Sequence, residues 1–327
     1  MLKWGIMATG TIARKFADTL NRMADGENRL TACASRSKEK AESFGAEFGA
    51  PLAFGSYEDM AASPDVDAVY ICTPNDSHAA LTRMCLEQGK HVLCEKPFTT
   101  SPEEAEALYA LAAEKGLFLM EALWTYHLPL IRETQRLLKE GVIGKVSYLR
   151  AEYGFIAGGS RRERKLCSPL GGGALLDIGI YNLAFANQML FSGLERFTGE
   201  PALSEYGTDW LSTLSCVYGG GERVSLTASI GLQIPTEGLV VGSEGRLLFP
   251  DYQKAERLLI LGNDGTRREL TMPFEVNGFE YQIRETARCI REGLSFSPVY
   301  PPEESVARMR ELKRIRQAWG MKFSFEE

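Results

Sequence analysis

The first part of the chain alternates short apolar segments with amphipathic segments, and no other feature constrains the fold as strongly. An alternation of this kind is the signature of βαβ units that build a parallel sheet. The sequence therefore predicts an α/β fold that begins with a doubly wound parallel sheet. Strands are predicted at 2–7, 30–34, 66–72, 91–94 and 117–120, and helices at 11–23, 38–48, 77–88 and from Ser101 onward.

The pattern changes after residue 122, where longer segments alternate apolar and polar residues and are joined by glycine-rich turns. Segments 146–153 and 211–218 predict strands, and Gly219-Gly220-Gly221 carries a hairpin signal. A length of 327 residues suits two domains. We predict an N-terminal domain over 1–122 and a C-terminal α/β domain over 123–327, with an open, mainly antiparallel sheet and helices on one side.

The composition excludes several classes of function. The formal charge is −6, whereas a nucleic-acid-binding protein presents a basic face. No apolar run reaches the roughly 18 residues that a membrane-spanning helix needs. Met1-Leu2-Lys3 leads directly into a strand, so we expect a cytoplasmic protein. The seven cysteines form no CxxC pair and the three histidines are far apart, which predicts reduced thiols and no bound metal.

The turn after the first strand resembles a dinucleotide-binding fingerprint. Ala8, Gly10 and Ala13 occupy the three positions of G-x-G-x-x-G/A, where Gly10 lets backbone approach a pyrophosphate and Ala13 lets the helix pack closely. Ala8 departs from the fingerprint and is tolerated there if its φ is negative. We predict a Rossmann dinucleotide-binding domain; the alternative is a strand–turn–helix without a ligand. The predicted cofactor contacts in this turn are Ala8, Thr9, Gly10, Thr11 and Ile12.

The end of the second strand bears on the choice of cofactor. An NAD-preferring site usually ends this strand with an acid for the ribose hydroxyl, whereas an arginine nearby accommodates a 2′-phosphate. This chain has no acid there and offers hydroxyls and cations instead, at Ser35, Arg36 and Lys38. Such donors suit a dianionic phosphate, so we predict NADP, with NAD possible. In the alternative interpretation Arg36 is a solvated loop charge.

Two further strand ends carry polar residues at the same predicted edge of the sheet, where open α/β sheets bind their ligands. Glu95-Lys96-Pro97 follows the strand 91–94, and the ammonium of Lys96 can steer a proton transfer beside a nicotinamide ring. The segment after 66–72 contains Thr73, Pro74, Asn75 and His78. We predict that His78 either caps backbone or contacts a ligand. All of these except Pro97 are predicted cofactor contacts.

A second group of candidate residues lies further along the chain. Trp124 is predicted as a wall of the pocket, in contact with cofactor and substrate. A triple glycine at 171–173 precedes a helical segment in which Asp177 and Tyr181 are four apart and share one face. Gly179 between them removes bulk, which would allow a flat ring or backbone to approach. The charge run 160–165 is usually a solvated loop, and the alternative is contact with an anionic substrate.

The ordered motifs resemble one family specifically. They are GIMATGTIA, ASRS, VDAVYICTPNDSH, GKHVLCEKP, MEALWT and GGGALLDIGIY, and they span about 190 residues, with a weaker match in VGSEGRLLFP. Together they resemble the glucose–fructose oxidoreductase/inositol dehydrogenase/rhizopine catabolism (Gfo/Idh/MocA) family. Within it, the similarity is greatest to the branch of dimeric dihydrodiol dehydrogenases and NADP-dependent aldose (xylose) dehydrogenases.

The resemblance implies a fold, a reaction and roles for individual residues. It implies a Rossmann domain, then a substrate-binding domain whose open sheet often forms a dimer interface. It further implies that Lys96 is the catalytic lysine, that Asp177 contacts substrate hydroxyls and that Tyr181 is the acid/base, all three binding substrate. An ammonium near a tyrosine favours the phenolate. The implied reaction passes a hydride between NADP and a hydroxyl or carbonyl carbon of a sugar or diol.

Two other functions stay open within the resemblance. Some relatives use bound nicotinamide transiently to cleave glycosidic bonds, and a non-catalytic nucleotide-binding regulator is also conceivable. Retention of both Lys96 and Tyr181 favours a dehydrogenase, because a regulator has no need for the pair. The chain departs from the family at Tyr126-His127, where relatives often have an arginine first. We expect a small-molecule sugar or diol as partner, no nucleic acid or membrane, and a homodimer or higher homo-oligomer.

Overall fold

The computed structural model describes residues 1–23, 25–167 and 171–323, with the backbone alone at 160 and 161. By their internal contacts these residues form two compact units. The first contains Met1–Trp124 and Glu275–Met309, and the second contains Thr125–Phe274 and the residues from Arg310 onward. The assignment of cofactor binding to 1–122 and of substrate binding to 123–327 stays a prediction.

The first unit contains a parallel sheet of six strands in the order β3-β2-β1-β4-β5-β6. This order is that of a doubly wound dinucleotide-binding sheet, so the predicted Rossmann fold is confirmed. The side chains of β4 and β6 are buried throughout, as expected where helices cover both faces. The strands are β1 Leu2–Met7, β2 Asn28–Ala34, β3 Leu52–Phe54, β4 Ala68–Ile71, β5 His91–Glu95 and β6 Leu119–Ala122.

The helices of this unit begin and end largely where the sequence signals them. Ser101 accepts a hydrogen bond from Glu104 N at 3.2 Å and caps α5, whose first residue is Pro102. β3 and α3 were not predicted, because three and six residues are too few to establish a period. The helices from α1 to α5 are Thr11–Arg22, Lys38–Phe48, Tyr57–Ala62, His78–Glu87 and Pro102–Lys115.

The second unit contains a sheet of nine strands, in the order β15-β14-β13-β12-β7-β11-β10-β8 with β9 on β10. Every pair is antiparallel except β7 with β11, so the prediction of a mainly antiparallel sheet is confirmed. The strands are β7 Val146–Gly154, β8 Leu194–Thr198, β9 Pro201–Leu203, β10 Asp209–Tyr218, β11 Arg223–Ser229, β12 Gly238–Gly242, β13 Gly245–Phe249, β14 Arg257–Gly262 and β15 Arg267–Thr271.

Helix α8 packs on one face of this sheet. The Asn182 amide donates to Thr227 O at 2.8 Å, and the rings of Phe185 and Phe249 meet edge to face at 5.3 Å. Gly238 is required in β12, because a Cβ there would lie 2.7 Å from the Phe185 ring. The remaining helices are α6 Pro129–Lys139, α7 Gly159–Leu166, α8 Ile180–Leu190, α9 Phe279–Arg291 and α10 Pro302–Ala318.

The opposite face of the same sheet carries partly exposed apolar side chains. Leu239, Leu248 and Leu259 are register partners across β12, β13 and β14, and each alternates with buried neighbours. Within the described residues, no helix is long and apolar enough to cross a membrane.

Candidate active site

The turn after β1 adopts a conformation that the sequence alone did not anticipate. Ala8 has φ = +92°, and its N–H donates to Ala34 O at 3.0 Å. The condition under which Ala8 was expected to be tolerated, a negative φ, is therefore not met. The backbone takes the left-handed region that the fingerprint glycine normally occupies, and the alanine adopts it at a cost in strain. The turn geometry is kept although the residue differs.

The residues after Ala8 have the geometry that binding of a pyrophosphate requires. Gly10 is the N-cap of α1, and a Cβ added to it would meet no atom within 4 Å, so a ligand can approach its backbone. No side chain caps this helix and its first turn contains no acid, which leaves the helix N-terminus suited to an anion. Ala13 is fully buried, as its predicted packing role requires. This geometry fits a bound dinucleotide.

The end of β2 distinguishes the two predicted cations. Lys38 donates to Ala53 O at 2.5 Å and pairs with Glu42 at 3.8 Å. Arg36 is exposed, and it lies near enough to Tyr57 to oppose the rise that burial causes in the pKa of that phenol. Ser35 is buried, and its hydroxyl accepts a hydrogen bond from Ser37 N at 3.3 Å. Arg36 is thus the better placed cation for a phosphate.

His78 connects the loops that follow β4 and β5. Its Nδ1 lies 3.0 Å from Pro97 O and its Nε2 lies 2.9 Å from Thr73 O, and the ring is fully buried. Burial lowers the pKa of His78, although the two carbonyl oxygens act in the opposite direction. Of the two roles predicted for His78, these contacts correspond to the capping of backbone. Direct contact with a ligand would need a ring edge that the burial does not leave exposed.

The carboxylate of Glu95 holds the backbone of Lys96 through a hydrogen bond. The hydroxyl of Tyr70 donates to one carboxylate oxygen of Glu95, and Lys96 N donates to the other at 3.2 Å. Glu95 is buried, which raises the pKa of its carboxyl. The Tyr70 ring stacks on Phe16 of α1 at 3.8 Å between centroids. Lys96 itself is partly exposed at the carboxyl end of β5, and the Lys96–Pro97 peptide is cis.

The loop after β5 is also held by Glu121 of β6. This side chain is fully buried and accepts hydrogen bonds from Phe98 N at 3.0 Å, Tyr300 Oη at 2.8 Å and Ser305 Oγ at 2.6 Å. Burial raises the pKa of Glu121. In the sequence Glu121 directly follows the strand predicted at 117–120, and its role could not be predicted because its partners at 300 and 305 are remote in the chain.

Trp124 is packed in the first unit beside a cation. Its ring is 5.3 Å from that of Phe279 between centroids, and the ammonium of Lys15 lies 4.4 Å from the Trp124 centroid and 3.9 Å from the Phe279 centroid. Trp124 is only 3% exposed. Thr73, Pro74 and Asn75 lie on the loop after β4, where Pro74 is exposed and Thr73 is buried.

In the second unit, Asp177 and Tyr181 lie on a helical segment that is not a continuous α-helix. Leu175–Gly179 forms a π-helical turn, and α8 begins only at Ile180. The two residues therefore do not have the predicted α-helical spacing of one turn, because a π-turn closes over five residues. Turns of this kind are frequent at functional sites. A Cβ on Gly179 would lie 3.3 Å from Leu175 Cδ1 and in ordinary contact, at 3.6 Å, with Ala228 Cβ of β11.

The triple glycine and Asp209 shape the start of this segment. Asp209 is fully buried, and one carboxylate oxygen accepts from Leu175 N at 2.8 Å. Burial raises the pKa of Asp209 to about 6. Gly173 has φ = +117°, and a Cβ there would lie 2.4 Å from the Asp209 carboxylate. Asp209, which caps the segment at Leu175 N, therefore packs directly against Gly173 and leaves no room for a side chain there.

Lys165 of α7 forms an ion pair with Asp177. From the sequence Lys165 was missed because the charge run 160–165 was treated as a unit. The available signal was the position of Lys165 next to an apolar residue, Leu166, which is fully buried in the structure. Tyr70 and Lys15, which lie in apolar and helical patterns without a distinguishing signal, were likewise missed. Among the described residues, no cluster of His, Cys, Asp or Glu side chains could hold a metal ion.

Comparison with known proteins identifies the family. The sequence profile of the Gfo/Idh/MocA oxidoreductases with an NAD-binding Rossmann fold matches residues 2–123, and that of the family's C-terminal domain matches 131–248. The chain is 34% identical over 332 residues to trans-1,2-dihydrobenzene-1,2-diol dehydrogenase of Mus musculus, covering 98% of each protein. The enzyme of that name from Homo sapiens is 34% identical over 331 residues, again with 98% of each covered.

Solved structures agree with this assignment. KijD10, a 3-ketoreductase from Actinomadura kijaniata crystallised with TDP-benzene and NADP, superposes with a TM-score of 0.84 at 29% identity, over 96% of each chain. An aldose-aldose oxidoreductase from Caulobacter crescentus shares the fold, with a TM-score of 0.87 at 23% identity, over 98% of this chain and 97% of the other. The motifs had predicted this result, and the chain belongs to the Gfo/Idh/MocA family of oxidoreductases.

Proposed function

We propose that this oxidoreductase transfers a hydride between NADP and a hydroxyl-bearing carbon of a sugar or vicinal diol. The observation that carries the proposal is the placement of Lys96 at the carboxyl end of β5, on a loop held by Glu95, His78 and Glu121. An ammonium supported in this way has a defined position at the edge where such sheets bind ligands. The names of the relatives, diol dehydrogenase and ketoreductase, support the substrate class.

The first unit offers the cofactor site. Backbone of Ala8, Thr9, Gly10, Thr11 and Ile12 would hold the pyrophosphate, and Arg36 with Ser35 would bind the 2′-phosphate. Lys38 adds positive charge nearby, while Thr73, Pro74, Asn75, Glu95, Lys96 and Trp124 would border the nicotinamide end. His78 contributes by holding the loops on which these residues lie. When bound, NADP supplies the ring carbon that accepts or returns the hydride.

The chain's own residues would handle the proton. Tyr181 would remove the proton from the substrate hydroxyl during oxidation and return it during reduction. A phenol is a poor base at its ordinary pKa near 10, so Tyr181 needs a positive charge nearby to act as the base. Asp177 would accept a hydrogen bond from the substrate and orient it. The alcohol thus loses one hydride and one proton and becomes a carbonyl.

We also propose that residues 1–122 bind the cofactor and 123–327 bind the substrate, and that the protein is a cytoplasmic homodimer. All seven cysteines are free thiols, which suits a reducing compartment. The partly exposed leucine row of β12, β13 and β14 would form the dimer interface, because a second copy would remove this apolar surface from water.

An activity assay tests the proposal. Purified protein is mixed with NADP⁺ or NAD⁺ and a panel of aldoses, diols and glycosides, and both the absorbance of the reduced cofactor and the release of free sugar are followed. We expect accumulation with NADP⁺. Lys96→Met should lower kcat/KM by roughly 10²- to 10⁴-fold with little loss of affinity for NADP, whereas Lys115→Met, an exposed lysine of α5, should behave like wild type.

Three results would contradict the proposal. Unchanged turnover in Lys96→Met would show that Lys96 is not a catalytic residue. Cleavage of a glycoside without net cofactor reduction would indicate the bond-cleaving reaction instead. Binding of NADP without turnover of any aldose or diol would indicate a regulator.

A further inference from the structure

Lys165 lies at the end of α7, beside the residue that is proposed to bind substrate hydroxyls. Its ammonium pairs with the carboxylate of Asp177, and the two side chains are 18% and 23% exposed. The preceding residue, Arg164, is exposed to solvent. Lys165 therefore differs from its exposed neighbour Arg164, because it is held against a specific partner and largely removed from water.

The backbone fixes the distance between the two residues. Gly173 N donates to Lys165 O at 2.8 Å, and Asp177 N donates to Gly173 O at 3.0 Å, so Gly173 is bonded to both members of the pair. A Cβ on Gly172 would lie 2.6 Å from Lys165 O, which means that only glycine lets the end of α7 lie this close. The glycine loop thus fixes the backbone positions from which the two side chains form the ion pair.

Aromatic rings border the pair. The ammonium of Lys165 lies 5.3 Å from the centroid of the Phe155 ring. Tyr153 is 6.2 Å from Phe155 and 6.3 Å from Tyr181 between ring centroids. Phe155 and Tyr153 are partly buried against a core that includes Leu166 and Ile178. A row of rings therefore runs from the ion pair to the proposed acid/base, Tyr181.

We propose that Lys165 is a specificity-determining residue that, together with Asp177, recognises two neighbouring hydroxyl groups of the substrate. Asp177 accepts a hydrogen bond from one hydroxyl, and the ammonium of Lys165 donates to the oxygen of the next. A carboxylate only accepts and an ammonium only donates, so two adjacent hydroxyls can each bind one member of the pair, whereas an isolated alcohol has a single hydroxyl for both. The inference rests on the proposed function, because it requires Asp177 to contact substrate.

Matched substrates isolate the hydroxyl next to the reacting carbon. The pairs are D-glucose with 2-deoxy-D-glucose, and trans-cyclohexane-1,2-diol with cyclohexanol, each assayed with the full-length protein and NADP⁺. The quantity compared is the ratio of kcat/KM within each pair. We expect Lys165→Met to lower the wild-type preference for the diol member by about 10- to 100-fold, the range for hydrogen bonds to charged groups. Lys165→Arg should retain most of that preference.

Controls separate specificity from a structural effect. Arg164→Met should keep the wild-type ratio, and thermal melting should show each variant folded; Lys165→Gln serves if the methionine variant melts early. The double variant Lys165→Met/Asp177→Asn should lose no more preference than Asp177→Asn alone, because the residues act together. If Lys165→Met lowers kcat/KM equally for both members of each pair, the inference is overturned while the proposed function stands. Wild type that oxidises no member of either pair would overturn both the inference and the proposed function.

Discussion

Ala8 illustrates how one residue can keep a turn while departing from its usual amino acid. At φ = +92° the Cβ of an alanine meets its own backbone in a way that glycine avoids, and residues in such regions cost of order 1–3 kcal/mol. The surrounding turn must impose this conformation, since Ala8 N is bonded to Ala34 O on β2. A fingerprint match alone cannot indicate the sign of φ, so only the structure shows that the condition set for tolerating Ala8, a negative φ, is not met.

Replacing this alanine tests the strain directly. Ala8→Gly should leave the free energy of unfolding unchanged or raise it by up to about 1 kcal/mol, because relief of strain exceeds the added freedom of the unfolded chain. Ala110→Gly on the exposed side of α5 is the matched control and should lower the free energy of unfolding by about 1 kcal/mol. Urea denaturation measures both. A loss in Ala8→Gly as large as in the control would show that the turn is unstrained.

At the scale of elements, patterns local in sequence were predicted well. α2 begins and ends at the predicted residues, and the proline and serine signals located α5 correctly. The π-turn that carries Asp177 was missed, because its geometry depends on contacts remote in the chain. Asp209, which caps this segment at Leu175 N, is thirty-four positions away from it. Lys165 and Asp177 could be placed together only once the glycine loop was seen to connect them.

The buried cap predicts a dependence of stability on pH. Burial raises the pKa of Asp209 from 3.8 to about 6, so between these values the folded protein binds more protons than the unfolded chain. The stabilisation that protonated Asp209 contributes is fully present below pH 3.8 and is lost as the pH rises through the folded-state pKa of about 6. Asparagine is neutral throughout and still offers an oxygen to Leu175 N. Relative to wild type, the free energy of unfolding of Asp209→Asn should rise by roughly 2 kcal/mol between pH 4 and 7.

Denaturant titrations across this pH range measure the difference, and a second aspartate supplies a control of opposite sign. Hydrogen bonds from Thr266 lower the pKa of the exposed Asp264 below its ordinary 3.8, so in titrations extended below pH 4 the free energy of unfolding of Asp264→Asn should fall relative to wild type as the pH rises from the lowered pKa to 3.8. Parallel curves for Asp209→Asn and wild type would show that Asp209 titrates normally in the folded protein.

At the scale of the whole molecule, the doubly wound parallel sheet of the first unit and the mainly antiparallel sheet of the second were predicted from hydrophobic periodicity and turn residues. The return of residues 275–309 to the first unit did not, because nothing in a helical pattern indicates which sheet it covers. The proposed catalytic residues were found through motifs, while the residues that support them, such as Tyr70 and Glu121, depend on contacts across the sheet. Periodicity predicts elements, and pairing between distant side chains requires coordinates.

The leucine row on the second unit's sheet gives the last prediction. Leu248 lies between Leu239 and Leu259 in register, on the face opposite α8, and all three are partly exposed. A glutamate at the centre of a self-associating apolar face would place two carboxylates in a desolvated interface, where neither has a partner. Light scattering should therefore find twice the chain mass for wild type and a single chain mass for Leu248→Glu. Leu294→Glu, an exposed leucine of the first unit, should leave the dimer intact. A Leu248→Glu protein that remains dimeric while wild-type melting is retained would place the interface on another surface.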